Sequence, residues 1–77
     1  METIRDDANN VIGKNIRRLR LEKQIGQLEL VTKVQLLGAS LTRETLVKIE
    51  GGRQHIKLTQ LRAIKEVLKV SYEELLS

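Results

Sequence analysis

Residues 26–52 read GQLELVTKVQLLGASLTRETLVKIEGG, and their apolar spacing decides the fold. From Gln27 onward, Leu30, Val31, Val34 and Leu37 recur at the three- and four-residue intervals that place side chains on one face of a helix. Gly38 is the natural stop, because it takes positive φ without a Cβ penalty. Ala39, Ser40 and Leu41 bridge to Thr42, a good N-cap. A second short helix then spans 43–50, with Leu46 and Ile49 inward and Val47 between the two faces. It turns Arg43, Glu44, Thr45 and Lys48 outward and ends at Gly51-Gly52. Two short amphipathic helices joined by a connection around Gly38, the second polar-faced, have the form of a helix-turn-helix.

The flanking sequence supplies what this pair packs against. Upstream, Asn9 or Asn10 is placed to cap a helix from about Val11 to Lys23. Ile12, Ile16 and Leu19 form its inner stripe, Lys14, Arg17, Arg18 and Lys23 lie elsewhere around the wheel, and Leu21 falls outside the stripe. Ile25 is expected to tuck into the core, with Gly26 opening the next helix and Leu28 and Leu36 facing outward. Downstream, residues 53–57 form a polar loop. A fourth helix from about Leu58 or Thr59 to Lys69 buries Leu58, Leu61, Ile64 and Leu68, flanked by Ala63 and Val67. Val70 plugs the core, and Ser71-x-x-Glu74 has the spacing of a capping box. It opens a last short helix whose apolar side is Leu75 and Leu76. Residues 1–9 lack periodicity and read as a flexible lead-in. The expectation is an all-α domain over 10–77, a compact five-helix bundle with no strands.

Composition narrows the function classes. A chain of 77 residues makes one domain and buries only about 60% of its unfolded surface. Without Pro, Phe or Trp, and with one Tyr, its core is aliphatic. With no Cys and one His there is neither a disulfide framework nor a metal cluster. A Gly-rich phosphate loop and a Ser/His/Asp set are also missing, so the sequence points away from an enzyme and implies no cofactor or small-molecule ligand. Met1 precedes acidic and polar residues rather than an apolar signal core, and no apolar run approaches a membrane span. Net charge is +4 and unevenly spread. Residues 1–9 carry −2, residues 10–33 carry +4, residues 43–57 carry +2, and the last twenty are neutral. A basic first two-thirds suits a polyanion on one side of the molecule.

Three segments carry a family resemblance. They are Ile12-Gly13-Lys14-Asn15-Ile16-Arg17-Arg18-Leu19-Arg20, then Thr42 through Ile49-Glu50-Gly51-Gly52, then Leu61 through Val70-Ser71-Tyr72-Glu73-Glu74-Leu75. In this order and spacing, the chain resembles the Cro/CI-type (XRE-type) helix-turn-helix family of bacterial and phage transcription regulators, over about residues 10–76. The resemblance implies a lambda-repressor-like DNA-binding domain whose helix-turn-helix is formed by helices two and three. It also implies a cytoplasmic, repressor-like regulator that binds double-stranded DNA as a homodimer, with no membrane partner.

The resemblance also assigns roles. Arg43, Glu44, Thr45 and Lys48 match the base-reading turns of the recognition helix, where arginine bonds guanine, glutamate accepts from cytosine and a threonine methyl meets thymine. Gln27, Thr42, Arg53, Gln54 and Lys57 match phosphate-contacting positions, with Gln27 also bracing the reading helix. Arg20 and Glu50 match a buried structural ion pair. The chain departs from the family at Gln35–Leu41, which is longer than the usual turn. The simplest reading is an extra turn on helix two ending at Gly38, plus a longer loop, which would shift the recognition helix relative to Gln27. Glu44 has a second reading, pairing with Lys48 four residues on. The rival to DNA binding is a protein-interaction module, an antitoxin or adaptor that keeps the fold and holds its partner through exposed Leu21, Leu28 and Leu36.

Overall fold

The structure is a computed structural model that describes the backbone of residues 3–77 and the side chains of residues 10–77. Five helices follow in order, α1 Thr3–Glu22, α2 Gln27–Leu36, α3 Arg43–Glu50, α4 Leu58–Leu68 and α5 Tyr72–Leu76, and there is no strand among the described residues. The apolar stripes converge as their spacing predicts. Ile16 of α1, Leu30 and Val34 of α2, Leu46 and Ile49 of α3, Ile64 and Leu68 of α4 and Leu75 of α5 are all completely buried. Around that centre α1 packs on α3 and α5, while α2 packs on α3 and α4. Asn15 donates to the Leu75 carbonyl at 2.8 Å and ties α1 to the closing helix.

α1 begins at Thr3, earlier than the expected start at Val11, so the backbone of most of the expected lead-in is helical. Met1, Glu2 and all side chains of residues 1–9 lie outside the described residues, including Asn9 as a cap. Asn10 is interior to α1 and lies directly over Gly52, where an added Cβ would overlap its Oδ1. Its side chain is therefore used between elements rather than at a helix start.

Four helices end the same way. After α1 through α4 the chain passes through one left-handed residue each: Gln24 (φ 58°), Gly38 (φ 94°), Gly52 (φ 75°) and Lys69 (φ 58°). In each case the N–H of that residue bonds the carbonyl three back, and the next N–H bonds the carbonyl five back. At α2 these are Gly38 to Gln35 (2.9 Å) and Ala39 to Val34 (3.3 Å), and at α3 Gly52 to Ile49 (3.0 Å) and Arg53 to Lys48 (2.8 Å). This is the Schellman motif, which satisfies carbonyls the helix leaves open. α5 starts as its capping box predicts, with Glu74 N–H donating to Ser71 Oγ at 3.0 Å and Ser71 N–H donating to Glu74 Oε1 at 2.9 Å.

The connection 37–42 corrects the expectation for Leu37. α2 ends at Leu36 with Leu37 as its C-cap, and Gly38 is the positive-φ stop, as expected. Leu37 is 53% exposed, and Leu41, at 2%, fills the core position expected of it. The loop is pinned from both sides. Gln35 Nε2 donates to the Leu41 carbonyl at 2.7 Å, and Gln60 Nε2 donates to the Ser40 carbonyl at 2.8 Å. Gln60 is buried and also accepts from the Lys57 N–H at 2.9 Å. It holds the inward position in the first turn of α4, and Leu58, expected inside, is turned out and 66% exposed. Leu76 is likewise exposed, because the last turn of α5 presents only Leu75 to the core. Leu21, Leu28 and Leu36 are exposed, as expected.

Lys65, half-buried in α4, carries its ammonium 5.0 Å from the centroid of the Tyr72 ring, with its stem against the protein. Among the described residues, no helix is long and apolar enough to cross a membrane.

Two substitutions test this packing. Gly13 lies where α1 crosses the end of α3, and a Cβ there would overlap the Ile49 carbonyl oxygen. Gly13→Ala is expected to destabilise the fold by about 1–3 kcal/mol, the usual cost of forcing extra volume into a packed contact. Lys69→Gly is expected to stabilise it by about 1 kcal/mol, by removing the Cβ penalty of the left-handed conformation. Urea-unfolding midpoints measured for both variants check the two opposite signs.

Candidate nucleic-acid interface

The interface is organised by a buried carboxylate at the C-terminal end of α3. Glu50 receives Arg20 in a two-pronged ion pair, Nε to Oε2 at 2.8 Å and Nη2 to Oε1 at 3.0 Å. Their side chains are only 4% and 7% exposed. Two parallel charge-assisted bonds are the geometry that best repays taking such charges out of water. The guanidinium has a further acceptor in the Ile25 carbonyl at 3.0 Å. Glu50 Oε1 has a second donor, Gln27 Nε2, at 3.2 Å. One carboxylate thus locks the end of α1, the turn after it, the first residue of α2 and the last residue of α3 into a single arrangement.

The bracing expected of Gln27 is therefore present as a direct bond to Glu50. With the long connection 37–42 at one end of the α2–α3 pair, this network joins the two helices at the other end. No side chain caps α2 at Gly26, whereas α3 is capped by Thr42, whose Oγ1 accepts from the Thr45 N–H at 3.1 Å. The Thr42 and Thr45 hydroxyls also bond each other at 3.0 Å.

On this frame the expected base-reading residues divide. Arg43, Glu44 and Lys48 are exposed on α3, while Thr45 is half-buried with its hydroxyl engaged at the cap. No ion pair joins Glu44 to Lys48 among the described residues, so the second reading of Glu44 is not realised. Arg43, Glu44, Val47, Lys48 and Arg53 line one open depression. The Schellman turn at Gly52 folds Arg53 back beside α3. Of the expected phosphate residues, Thr42, Arg53 and Lys57 are exposed and Gln27 and Gln54 half-buried. Gln54 and Lys57 line neither this depression nor the cleft beside it.

That adjoining cleft is lined by Arg17, Arg20, Gly26, Gln27, Leu28, Glu29 and Arg43. Arg43 borders both hollows, so a basic strip runs from Arg17 on α1 across the start of α2 to Arg43, Lys48 and Arg53. Arg17 is one of three cations of α1, with Lys14 and Arg18, that sequence spacing places on the surface without a role. Its helical phase, one turn before Arg20, is the signal that places it beside the α2 start once Arg20 is known to face Glu50. The exposed leucines do not form one patch. Leu21 lies beside Lys14, Arg17 and Arg18, Leu28 lies in the Arg17 cleft, and Leu36 lies with Leu37 and Val67 at the far end of α2.

No family model matches the chain, and no curated protein and no solved structure matches it either. A functional assignment therefore rests on the residues and their arrangement.

The Glu50 network carries a clear stability signature. Glu50→Gln leaves the Arg20 guanidinium buried without its counter-charge, and a loss of about 3–5 kcal/mol is expected. The double replacement R20M/E50L removes both charges together and is expected to recover most of that loss. Denaturant unfolding of wild type, single and double variants measures both, and a Glu50→Gln variant as stable as wild type would refute the assignment.

Proposed function

We propose that this protein binds double-stranded DNA sequence-specifically as a transcriptional regulator of the Cro/CI (XRE) helix-turn-helix kind. In this reading α2 and α3 are the helix-turn-helix of a lambda-repressor-like domain, and α3 enters the major groove. The observation that carries it is the basic strip from Arg17 to Arg53 centred on the exposed face of α3, held by the Arg20–Glu50–Gln27 network. A short, rigidly placed helix with polar and cationic side chains free along one face is what groove insertion demands. Arg43, Glu44 and Lys48 are the base readers, each able to reach a base edge with a side chain no other group occupies. Thr42 and Arg53 flank them as phosphate contacts, and Arg17 joins that set from α1. Phosphate contacts fix the register of the protein on the duplex, and base contacts select the sequence. Gln27 reaches phosphate while keeping its bond to Glu50, and Gln54 and Lys57 act at the edge of the interface.

A module of this size buries roughly 600–1,000 Å² on DNA. Useful affinity then calls for two copies on half-sites about one helical turn apart. Leu36 and Leu37 at the end of α2, and Tyr72 and Leu76 on α5, are exposed apolar side chains outside the basic strip and are the candidate pairing positions. Such a regulator works in the cytoplasm of a bacterium or on behalf of a phage.

The protein-interaction reading draws its support from the exposed leucines. Their dispersal over three separate hollows, two of them rimmed by arginines, favours DNA.

Titration against random duplex between roughly 50 and 200 mM salt tests the class, because neutralising each phosphate contributes about −0.9 to the log–log slope. Steep loss of affinity is expected; negligible binding at low salt would rule the DNA reading out. On a selected site, Arg43→Ala is expected to relax preference at one or two base positions. Arg53→Ala should weaken all sequences about equally, as removal of a phosphate contact does.

A further inference from the structure

Val47 is the apolar side chain on the exposed face of α3, 38% exposed and lining the depression with Arg43, Glu44, Lys48 and Arg53. Arg43 lies four residues before it and Glu44 three, so both are its neighbours on the helix surface. These side chains are longer than valine, which makes Val47 the floor of the hollow and its charged neighbours the rim. Three cations and one acid suit a polyanion around that floor, and no second apolar side chain lines it to extend a protein-docking surface. Thr45, whose methyl was the expected thymine contact, is half-buried and bonded to Thr42 through both its N–H and its hydroxyl.

Resting on the DNA-binding reading of α3, we propose that Val47 is a specificity-determining residue that receives the C5 methyl group of one thymine in the major groove. Thymine alone among the four bases carries a methyl on that edge, so an apolar floor among charged readers discriminates it from cytosine without a hydrogen bond. Arg43 and Lys48 bond the neighbouring base edges and phosphates, and their approach drives water from the valine–methyl contact. The contact is worth about fourfold in affinity, the transfer value of one buried methyl group.

The test uses the full chain and the duplex it selects from a random pool. Each thymine of that site is replaced in turn by deoxyuridine, which lacks only the methyl. Wild type and V47A are titrated against every duplex by fluorescence anisotropy. Support is a position where wild type loses about fourfold and V47A loses nothing. If wild type is insensitive at every thymine, or if V47A is as sensitive as wild type, the assignment of Val47 is overturned while the DNA reading stands. If no duplex is enriched and binding shows no salt dependence, the DNA reading fails and this inference fails with it. Val47 is outside the core, so V47A is not expected to disturb the fold.

Discussion

A carboxylate at the end of a helix is normally misplaced, because it sits beside the negative pole of the backbone dipole. Glu50 occupies that position in α3, and it is buried besides. Its charge is tolerable only because Arg20 meets it with two bonds and Gln27 adds a third. An apolar pair of similar volume would give comparable stability, as buried ion pairs seldom exceed their desolvation cost. What an apolar pair would lack is direction. Leucine against methionine permits α3 to rotate or slide by a fraction of a turn, whereas a two-pronged guanidinium–carboxylate pair fixes both the distance and the plane. Since Gln27 shares the same oxygen, rotation of α3 would break its bond to α2 as well. The orientation of Arg43, Glu44, Val47 and Lys48 therefore depends on an interaction at the C-terminal end of their helix, on the side that Arg43 borders.

The helix ends impose a second constraint. α1 through α4 each stop in a single left-handed residue, so the chain reverses within a few residues and returns its next apolar group to the core. Ile25, Ala39 and Val70 are such returning groups, half-buried or buried. After α3 the returning residue is Arg53, and it stays at the surface. The same motif that brings apolar residues inward at three helix ends brings a cation beside the exposed face of α3 at the fourth. Gly38 and Gly52 take the conformation freely. Gln24 and Lys69 take it against their Cβ penalty, which shows that the packing beyond them is strong enough to hold a conformation their side chains disfavour.

Most of the core could be read from the sequence because period 3.6 alone places Ile16, Leu30, Val34, Leu46, Ile49, Ile64 and Leu68 on inner faces. The failures fall at helix ends, where phase no longer determines burial. Leu37 stands one residue past α2, Leu76 in the final turn of α5, and Leu58 in a first turn whose inward place belongs to Gln60. A buried glutamine that bonds a loop carbonyl twenty residues away has no signature in spacing, because its partner is chosen by tertiary packing. The site was legible by residue type more than by arrangement. Arg43, Glu44 and Lys48 are free as their helical phase requires, and Arg20 and Glu50 pair as expected. Thr45 looked free because its phase alone does not reveal that the Thr42 cap takes its hydroxyl. Arg17 became part of the strip only when α1 and α2 were seen side by side.

The position of the charge has a further consequence for how such a surface acts. α2 has ten residues, about 15 Å of helix. Its first turn belongs to the basic strip, and its far end carries the exposed Leu36 with the C-cap Leu37 beside it. The two chemistries are thus separated by the length of one rigid element, with the pinned connection 37–42 between the apolar end and α3. A partner seated on the leucines would leave Arg17, Arg43 and Lys48 uncovered, and a polyanion on the strip would leave the leucines uncovered. Under the DNA-binding reading, this separation lets pairing of two copies and engagement of a duplex occur together without competing for the same residues. It also makes the Gln35 and Gln60 bonds more than local ties. They tie the connection 37–42 to α2 and α4, and so add a further link between the apolar end and α3 to the direct packing of α2 on α3 and the Gln27–Glu50 bond.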